Sequence, residues 1–449
     1  MGKPLRVAVV GSGPAGFYTA DYLLEAGARV DVLERLPTPW GLVRLGVAPD
    51  HPELKTASRI FEKTAAKDGF RFFGNVEVGA DVAHHDLLRL YDAVVYTVGA
   101  QTDRRLGIPG EELEGSWAAT EFVAWYNGHP DYQHLEFDLS NERAVVIGNG
   151  NVAVDVARIL ARTDDELAPT DITDESTAAL VASSISDIVM LGRRGPAQAA
   201  FTPPELKELG ELGGADVFVD PAELELDPES EAALESAGAR TRRNVDILRD
   251  FAGRTPEGKP KRLALRFCVS PVQILGEGLV EAIEVVRNEL VLDGDGQIKA
   301  VPSDEREVIR CGLVLRSVGY RGVALPGVPF DERRGVIPNE GGRVTGQPRV
   351  YAAGWIKRGP SGVIGTNKKD AAETCERLVE DAAAGLLEGD GGELEELLRG
   401  RGVDFVEYAG WQAIDEHERS LGAPHGRPRV KLTSWDELLA KARELDSVA

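Results

Sequence analysis

The chain has 449 residues, and its 43% hydrophobic and 28% charged content is that of an ordinary globular protein with room for two or three domains. Its 74 acidic residues outnumber 51 basic ones, and a net charge of −23 disfavours general binding to nucleic acid or anionic membranes. No segment is apolar for long enough to span a bilayer, and Cys268, Cys311 and Cys375 are too far apart for a CxxC dithiol or for zinc or iron–sulfur ligand spacing. The expectation is a cytoplasmic protein with reduced thiols, no metal centre, no nucleic-acid partner and no membrane partner.

Residues 5–10 predict a short buried strand rather than a targeting segment, because they run straight into Gly11-Ser12-Gly13-Pro14-Ala15-Gly16. A helix to about Ala26, ended by Gly27, and a strand over 28–33 closing at Glu34 complete a β-α-β unit. The turn has GxGxxG spacing. Its first glycine permits the turn, its second lets backbone N–H groups approach a pyrophosphate, and its third lets helix and strand touch. The helix N-terminus adds unpaired donors and a partial positive charge. Glu34 lies 18 residues past Gly16. A carboxylate there accepts both hydroxyls of an adenosine ribose and repels a 2′-phosphate, so this site fits FAD or NAD and not NADP.

The same pattern returns further along. Residues 143–147 predict a strand, Gly148-Asn149-Gly150-Asn151-Val152-Ala153 a GxGxxA turn opening a helix to about Ala161, and 188–191 the next strand. That strand runs into Gly192-Arg193-Arg194, so two guanidiniums stand where the first unit has Glu34. A guanidinium pair suits the 2′-phosphate of NADP(H). About 40 residues separate Ala153 from Arg193, against the ~20 typical of the fingerprint, and the insertion over 163–184 is predicted to loop out beside the helix. Apolar runs at 93–99, 313–319 and 350–354 each end in glycine and read as buried strands whose carboxyl ends face a cofactor. The 221–260 segment has no clear place. Residues 388–400 read as a solvated loop and short helix, and an amphipathic run over 435–445 as part of an appendage packed on the body.

The resulting fold class is α/β, with two Rossmann-like dinucleotide-binding domains. An FAD-binding domain (1–102 and 320–449, with the C-terminal appendage) is interrupted by an NADP-binding domain (103–319).

Longer motifs narrow the reading. They are Thr38-Pro39-Trp40-Gly41-Leu42-Val43-Arg44, Gly46-Val47-Ala48-Pro49-Asp50-His51, Phe72-Phe73-Gly74-Asn75-Val76, the GxGxxA turn, Gly192-Arg193-Arg194-Gly195-Pro196, and the run from Ala353-Gly354-Trp355 through Gly362-Val363-Ile364-Gly365-Thr366-Asn367 to Asp370. Together they resemble the adrenodoxin-reductase-like ferredoxin–NADP⁺ reductases over nearly the whole chain. The resemblance implies FAD held around Gly13, Pro14, Ala15, Glu34, Gly41, Leu42, Val82, Trp355, Gly362, Val363 and Ile364. It implies NADPH held by Asn149, Gly150, Asn151, Val152, Arg193, Arg194 and Glu205, with Gly362 near the nicotinamide.

Hydride transfer needs the nicotinamide placed against the flavin at ~3–3.5 Å, so positioning residues are expected more than an acid–base pair. A helix started by Gly362 and Gly365 would aim its N-terminus at the flavin. His51 and Glu208 are the candidates for proton or nicotinamide handling; His51 otherwise reads as a loop histidine satisfied by a backbone carbonyl, and Glu208 as a solvated helix carboxylate. The implied acceptor is a ferredoxin, a small acidic iron–sulfur protein, docking on Arg358, Lys368 and Lys369 or on Arg242 and Arg243. Of the other readings, a disulfide reductase and an electron-input module both lack the cysteines they need here, while a flavin monooxygenase or an NADPH sensor is separable by oxygen consumption or by flavin bleaching.

Overall fold

A computed structural model describes residues 3–294 and 296–444. The chain divides into two compact units. One runs to Thr102, takes in Asn127–Gln133, and resumes at Gly319; the other comprises Asp103–Tyr126 and His134–Val318. The excursion at Asn127–Gln133 was not expected from the sequence, which placed 103–319 in one domain. Its tie to the first unit is side-chain chemistry from distant segments: Asp131 receives hydrogen bonds from Arg35 at 2.5 Å and from the Trp435 indole at 2.8 Å.

The first unit is built on a seven-stranded sheet in the order Asn339–Glu340, Arg343–Val344, Val350–Ala352, Ala93–Tyr96, Arg6–Val10, Arg29–Leu33, Phe70–Phe73. The last five strands are parallel. Successive side chains alternate between faces, so Val7 and Val9 enter one core with Phe17, Val30 and Leu378, while Ala8 and Val10 enter another with Val94, Tyr96 and Leu87. Burial on both faces explains why these strands read as unbroken apolar runs. The central strand leads into the helix Pro14–Glu25, which packs against the helix Thr366–Ala383. The C-terminal segment contributes Tyr408–Gly422 and Trp435–Arg443, which bury Trp411, Ile414, Leu438 and Ala442 in the first of these cores. The expected run to Leu445 ends outside the described residues, and the expected short helix near 388–400 is Leu394–Gly400.

The second unit has a six-stranded parallel sheet in the order Ser116–Ala118, Leu313–Arg316, Arg143–Ile147, Asp187–Gly192, Lys261–Phe267, Ala215–Val219. An antiparallel sheet of Val269–Leu275, Ala282–Leu292 and Ile298–Arg310 shares the core formed by Val145, Ile147, Val189 and Leu191. The 163–184 insertion does not loop out. It forms the helices Asp164–Leu167 and Asp174–Val181 and buries Leu167, Ile172 and Leu180 in the main core. Thr163 and Glu166 close a capping box, and Thr173 caps Ser176. The 221–260 segment is also helical, in Pro228–Ser236 and Ala239–Gly253. Asp227 caps the first of these helices, and Glu223 just before it binds Arg266 at 2.7 Å.

Candidate dinucleotide sites

In the first unit the outer glycines of the turn are demanded by the chain itself. A Cβ on Gly11 would lie 2.8 Å from the Thr97 carbonyl oxygen, and Gly11 sits at φ +102°; a Cβ on Gly16 would overlap the Gly11 carbonyl oxygen. Gly13 differs, because a Cβ there would meet nothing within 4 Å. Packing does not explain that glycine, whereas close approach by a phosphate does. Pro14 and Ala15 open the helix with no side-chain cap and no acidic residue in the first turn, which suits a bound anion.

Glu34 follows the neighbouring strand. One carboxylate oxygen accepts from the Ser12 amide at 3.0 Å and the Ser12 hydroxyl at 2.7 Å, and the other accepts from the Leu36 amide at 3.1 Å. Strand-end position and turn therefore converge on one carboxylate beside the glycines. The loop bearing Gly41 and Leu42 lies against the same turn: Trp40 N–H donates to the Ser12 carbonyl at 3.0 Å, and a Cβ on Gly41 would come within 3.1 Å of Gly13 Cα. Val82 is placed differently. Its side chain is fully buried with Val78 and Leu87, its N–H donates to the Glu77 carbonyl at 3.4 Å and its carbonyl accepts from the Gly79 amide, so its side chain is not offered to a ligand.

The closing strand brings a third segment to this turn. Gly354, at φ +78°, has no room for a Cβ, which would lie 2.6 Å from Ala15 Cβ. Its amide donates to Asp370, whose other oxygen pairs with the buried Lys357 at 3.1 Å. Trp355 packs against Tyr320 at 5.3 Å between ring centroids, and its indole N–H is buried with no acceptor among the described residues. Gly362, at φ +82°, begins the turn into the long helix, which starts at Thr366 rather than at the glycines. The Thr366 hydroxyl accepts from Val363 N–H at 3.1 Å, Val363 is exposed, and Ile364 rests against the core. This helix also lacks a side-chain cap and first-turn acids.

The second unit repeats the arrangement. A Cβ on Gly148 would overlap the Ser317 carbonyl oxygen, while one on Gly150 would meet nothing within 4 Å. The uncapped helix Asn151–Ala161 starts there, with Ala153 fully buried in place of the third glycine and Val152 packed partly on the core. The Asn149 carbonyl accepts from Ala200 and Phe201 amides at 2.9 and 3.0 Å, and Asn151 Oδ1 accepts from Thr202 N–H at 2.8 Å. Asn149 Oδ1 itself is buried and has no donor among the described residues.

Arg193 and Arg194 project, exposed, just past the strand Asp187–Gly192. Their carbonyls are fixed by Asn288 Nδ2 at 2.8 Å and Cys268 N–H at 3.1 Å. Partial burial, and then the Arg193 charge, push the Arg194 pKa down. Two adjacent cations with no acidic partner among the described residues are suited to an anion. A cavity of about 280 Å³ opens beside Arg194, lined also by Gln198, Leu234, Thr241 and Gln297.

Glu205 and Glu208 lie on the helix Pro203–Leu209, and both face Arg158, at 3.3 and 3.5 Å. Arg158 is completely buried and also pairs with Asp155 at 2.8 Å. Glu208 is therefore a half-buried, ion-paired group, which corrects the reading of a solvated helix carboxylate. The Arg158 partner was not legible, because it sits on the core side of the helix Asn151–Ala161 among apolar neighbours. His51 is buried at the start of the short helix Pro52–Lys55, with its backbone bonded to Ala48 and Leu54. Of the proposed docking cations, Arg358 is turned inward to Asn367 Oδ1 at 3.2 Å and Asp370 at 3.9 Å. Arg242, Arg243, Lys368 and Lys369 are all exposed, and Arg242 also donates to the Ala237 carbonyl at 2.5 Å.

Comparison with known proteins agrees with this geometry. Residues 5–190 match the pyridine nucleotide-disulphide oxidoreductase family model. The chain is 51% identical to NADPH-ferredoxin reductase FprA of Mycobacterium tuberculosis, over 97% of this chain and 99% of that protein. It is 43% identical to the mitochondrial NADPH:adrenodoxin oxidoreductase of Arabidopsis thaliana, over 98% and 96%. The solved structure of Mycobacterium tuberculosis FprA in complex with NADPH superposes with a TM-score of 0.94, covering 98% of this chain and 100% of that one. The chain belongs to the adrenodoxin-reductase-like ferredoxin–NADP⁺ reductase family. In this reductase the stretch matched by the disulphide-oxidoreductase model contains no cysteine at all. What is shared there is the nucleotide-binding scaffold and not thiol chemistry. Among the described residues of the reductase, no helix is long and apolar enough to cross a membrane.

Proposed function

We propose that this chain is an FAD-containing reductase that takes hydride from NADPH and passes single electrons to a ferredoxin-type iron–sulfur protein. The observation that carries the reading is the opposed chemistry of two like-built turns: the Glu34 carboxylate beside Gly13, and the Arg193–Arg194 pair beyond the strand that follows Gly150. Gly13, the uncapped helix start at Pro14 and Ala15, and Glu34 suit the pyrophosphate and ribose of FAD. Gly41 and Leu42 flank that turn, Trp355 offers a buried N–H, and the 362–364 turn presents the start of a third uncapped helix. Bound FAD would supply the conversion between a two-electron donor and a one-electron acceptor. The protein's own part is to hold and orient: the Asn149–Val152 turn and the two arginines take NADPH by its phosphates, and Glu205 and Glu208 are set in place by Arg158.

The relatives named for ferredoxin and adrenodoxin support an iron–sulfur acceptor. An acidic acceptor would need a local basic surface on a chain of net charge −23, and Lys368, Lys369, Arg242 and Arg243 are the exposed cations available from those expected. The deciding experiment is spectroscopic. Purified protein shows an oxidised flavin spectrum, NADPH bleaches it faster than NADH, and a ferredoxin accelerates electron flow to cytochrome c. A colourless folded protein, or a preference for NADH, contradicts the reading.

A further inference from the structure

We propose that the C-terminal helix Tyr408–Gly422 is a clamp on the first dinucleotide turn, and that Glu418 acts through Arg44 as a positioning residue for FAD. This rests on the reading that the Gly13 turn takes FAD. Glu418 is completely buried and grips Arg44 with both oxygens, at 2.5 and 2.8 Å, across 374 residues of sequence. The Arg44 guanidinium lies 5.1 Å from the Trp411 ring centroid, and Trp411 meets Trp40 edge to face at 4.8 Å. One helix therefore holds both ends of the loop from Trp40 to Arg44.

That loop is the wall of the turn. Trp40 has φ +82° and Gly41 has φ +49°, a pair of left-handed conformations that is unfavourable for a tryptophan and persists only where surroundings enforce it. The enforcing contacts are the ones just named, together with the Trp40 N–H bond to Ser12. Ser12 also binds Glu34, and Gly41 lies so near Gly13 that a Cβ on it would come within 3.1 Å of Gly13 Cα. The route from Glu418 to the glycine turn is thus the buried Arg44 guanidinium, the turn Leu42–Leu45, and Gly41. A structural explanation confined to the appendage would give Glu418 its second partner, Arg429 at 3.0 Å, and would not need Arg44.

Those two arginines make the test. Arg44→Met and Arg429→Met each remove one of the two cations that neutralise Glu418, but only Arg44 touches the cradle loop. Flavin release is followed by fluorescence after dilution of each holoprotein, below both melting transitions, with apoprotein titrated by FAD as a second reading. The expected result is release at least about tenfold faster for Arg44→Met and within about threefold of the parent for Arg429→Met. Equal acceleration in the two variants, or unchanged release in Arg44→Met, overturns the clamp. Should Arg44→Met fold poorly, Arg44→Lys against Arg429→Lys is read by the same criterion. A parent protein that binds no FAD would refute the underlying reading instead, which separates the two failures.

Discussion

Replacing Arg193 and Arg194 together by alanine should convert this reductase from an enzyme selective for NADPH to one that barely distinguishes NADPH from NADH. The backbone under both residues is held by Asn288 and by the Cys268 amide, neither of which depends on the guanidiniums, so the strand end stays in place. A charge-assisted hydrogen bond to an ionised partner contributes about 1.5–3 kcal/mol, and solvent exposure reduces this. Both arginines are exposed at their tips, so about 1–2 kcal/mol each, or about 2–4 kcal/mol together, is a consistent figure. At about 1.4 kcal/mol per decade this is a fall of about 30- to 1,000-fold in kcat/KM for NADPH. The 2′-phosphate is remote from the reacting ring, so the loss falls on KM with kcat little changed. Each single variant should lose part of the double effect, since either guanidinium alone still offers the phosphate a charge-assisted hydrogen bond. The assay is initial-rate ferricyanide reduction with each nucleotide. If the double variant loses NADPH and NADH activity in the same proportion, the arginines serve the fold and the assignment of the two sites fails.

The two glycines of the second turn should behave oppositely. Gly150→Ala, with a clear surrounding and φ −107°, keeps the melting temperature while raising KM for NADPH, whereas Gly148→Ala, at φ +140° against Ser317, costs more than about 2 kcal/mol in urea unfolding. Arg158→Met removes the guanidinium shared by Asp155, Glu205 and Glu208, and breaking a buried ion cluster in this way costs about 3–5 kcal/mol by chemical denaturation. Burial would raise the Glu418 pKa, but Arg44 and Arg429 outweigh it and hold the group below its ordinary value. Its contribution is therefore complete above the unfolded value of about 4.3 and is lost as pH falls through the folded one; Glu418→Gln should be less stable than the parent near neutrality, with the gap closing in acid when urea midpoints are compared. Burial pushes the Cys268 thiol up to about 11 and those of Cys311 and Cys375 up to about 12, so mass-spectrometric alkylation at about pH 8 should label all three only after unfolding.

Features specified by neighbouring residues were legible. Glu34, Arg193 and the two glycine turns were found because a strand, a tight turn and a helix put them at set spacings, and the structure keeps them at the strand ends. Some local signals lie in stretches whose composition does not show a helix: Thr163 and Glu166 are a capping pair in the insertion expected to loop out, and Asp227-Pro228 is a helix start in the segment that had no clear place. Val82 shows the converse, since a residue in an ordinary run gives no sign that its side chain is spent on the core.

The sequence by itself determined two β-α-β units, the opposite charges that follow their second strands at Glu34 and at Arg193–Arg194, and the family to which the chain belongs. Only the tertiary structure decided that Arg158 binds Glu205 and Glu208, that Arg358 turns inward to Asp370, that residues 127–133 join the first unit, and that Glu418 reaches Arg44. The difference is physical. Turn and strand-end chemistry is set by backbone geometry over a few residues, whereas a buried charge chooses its partner from whatever the packed core brings within about 4 Å, and no spacing in the chain records that distance.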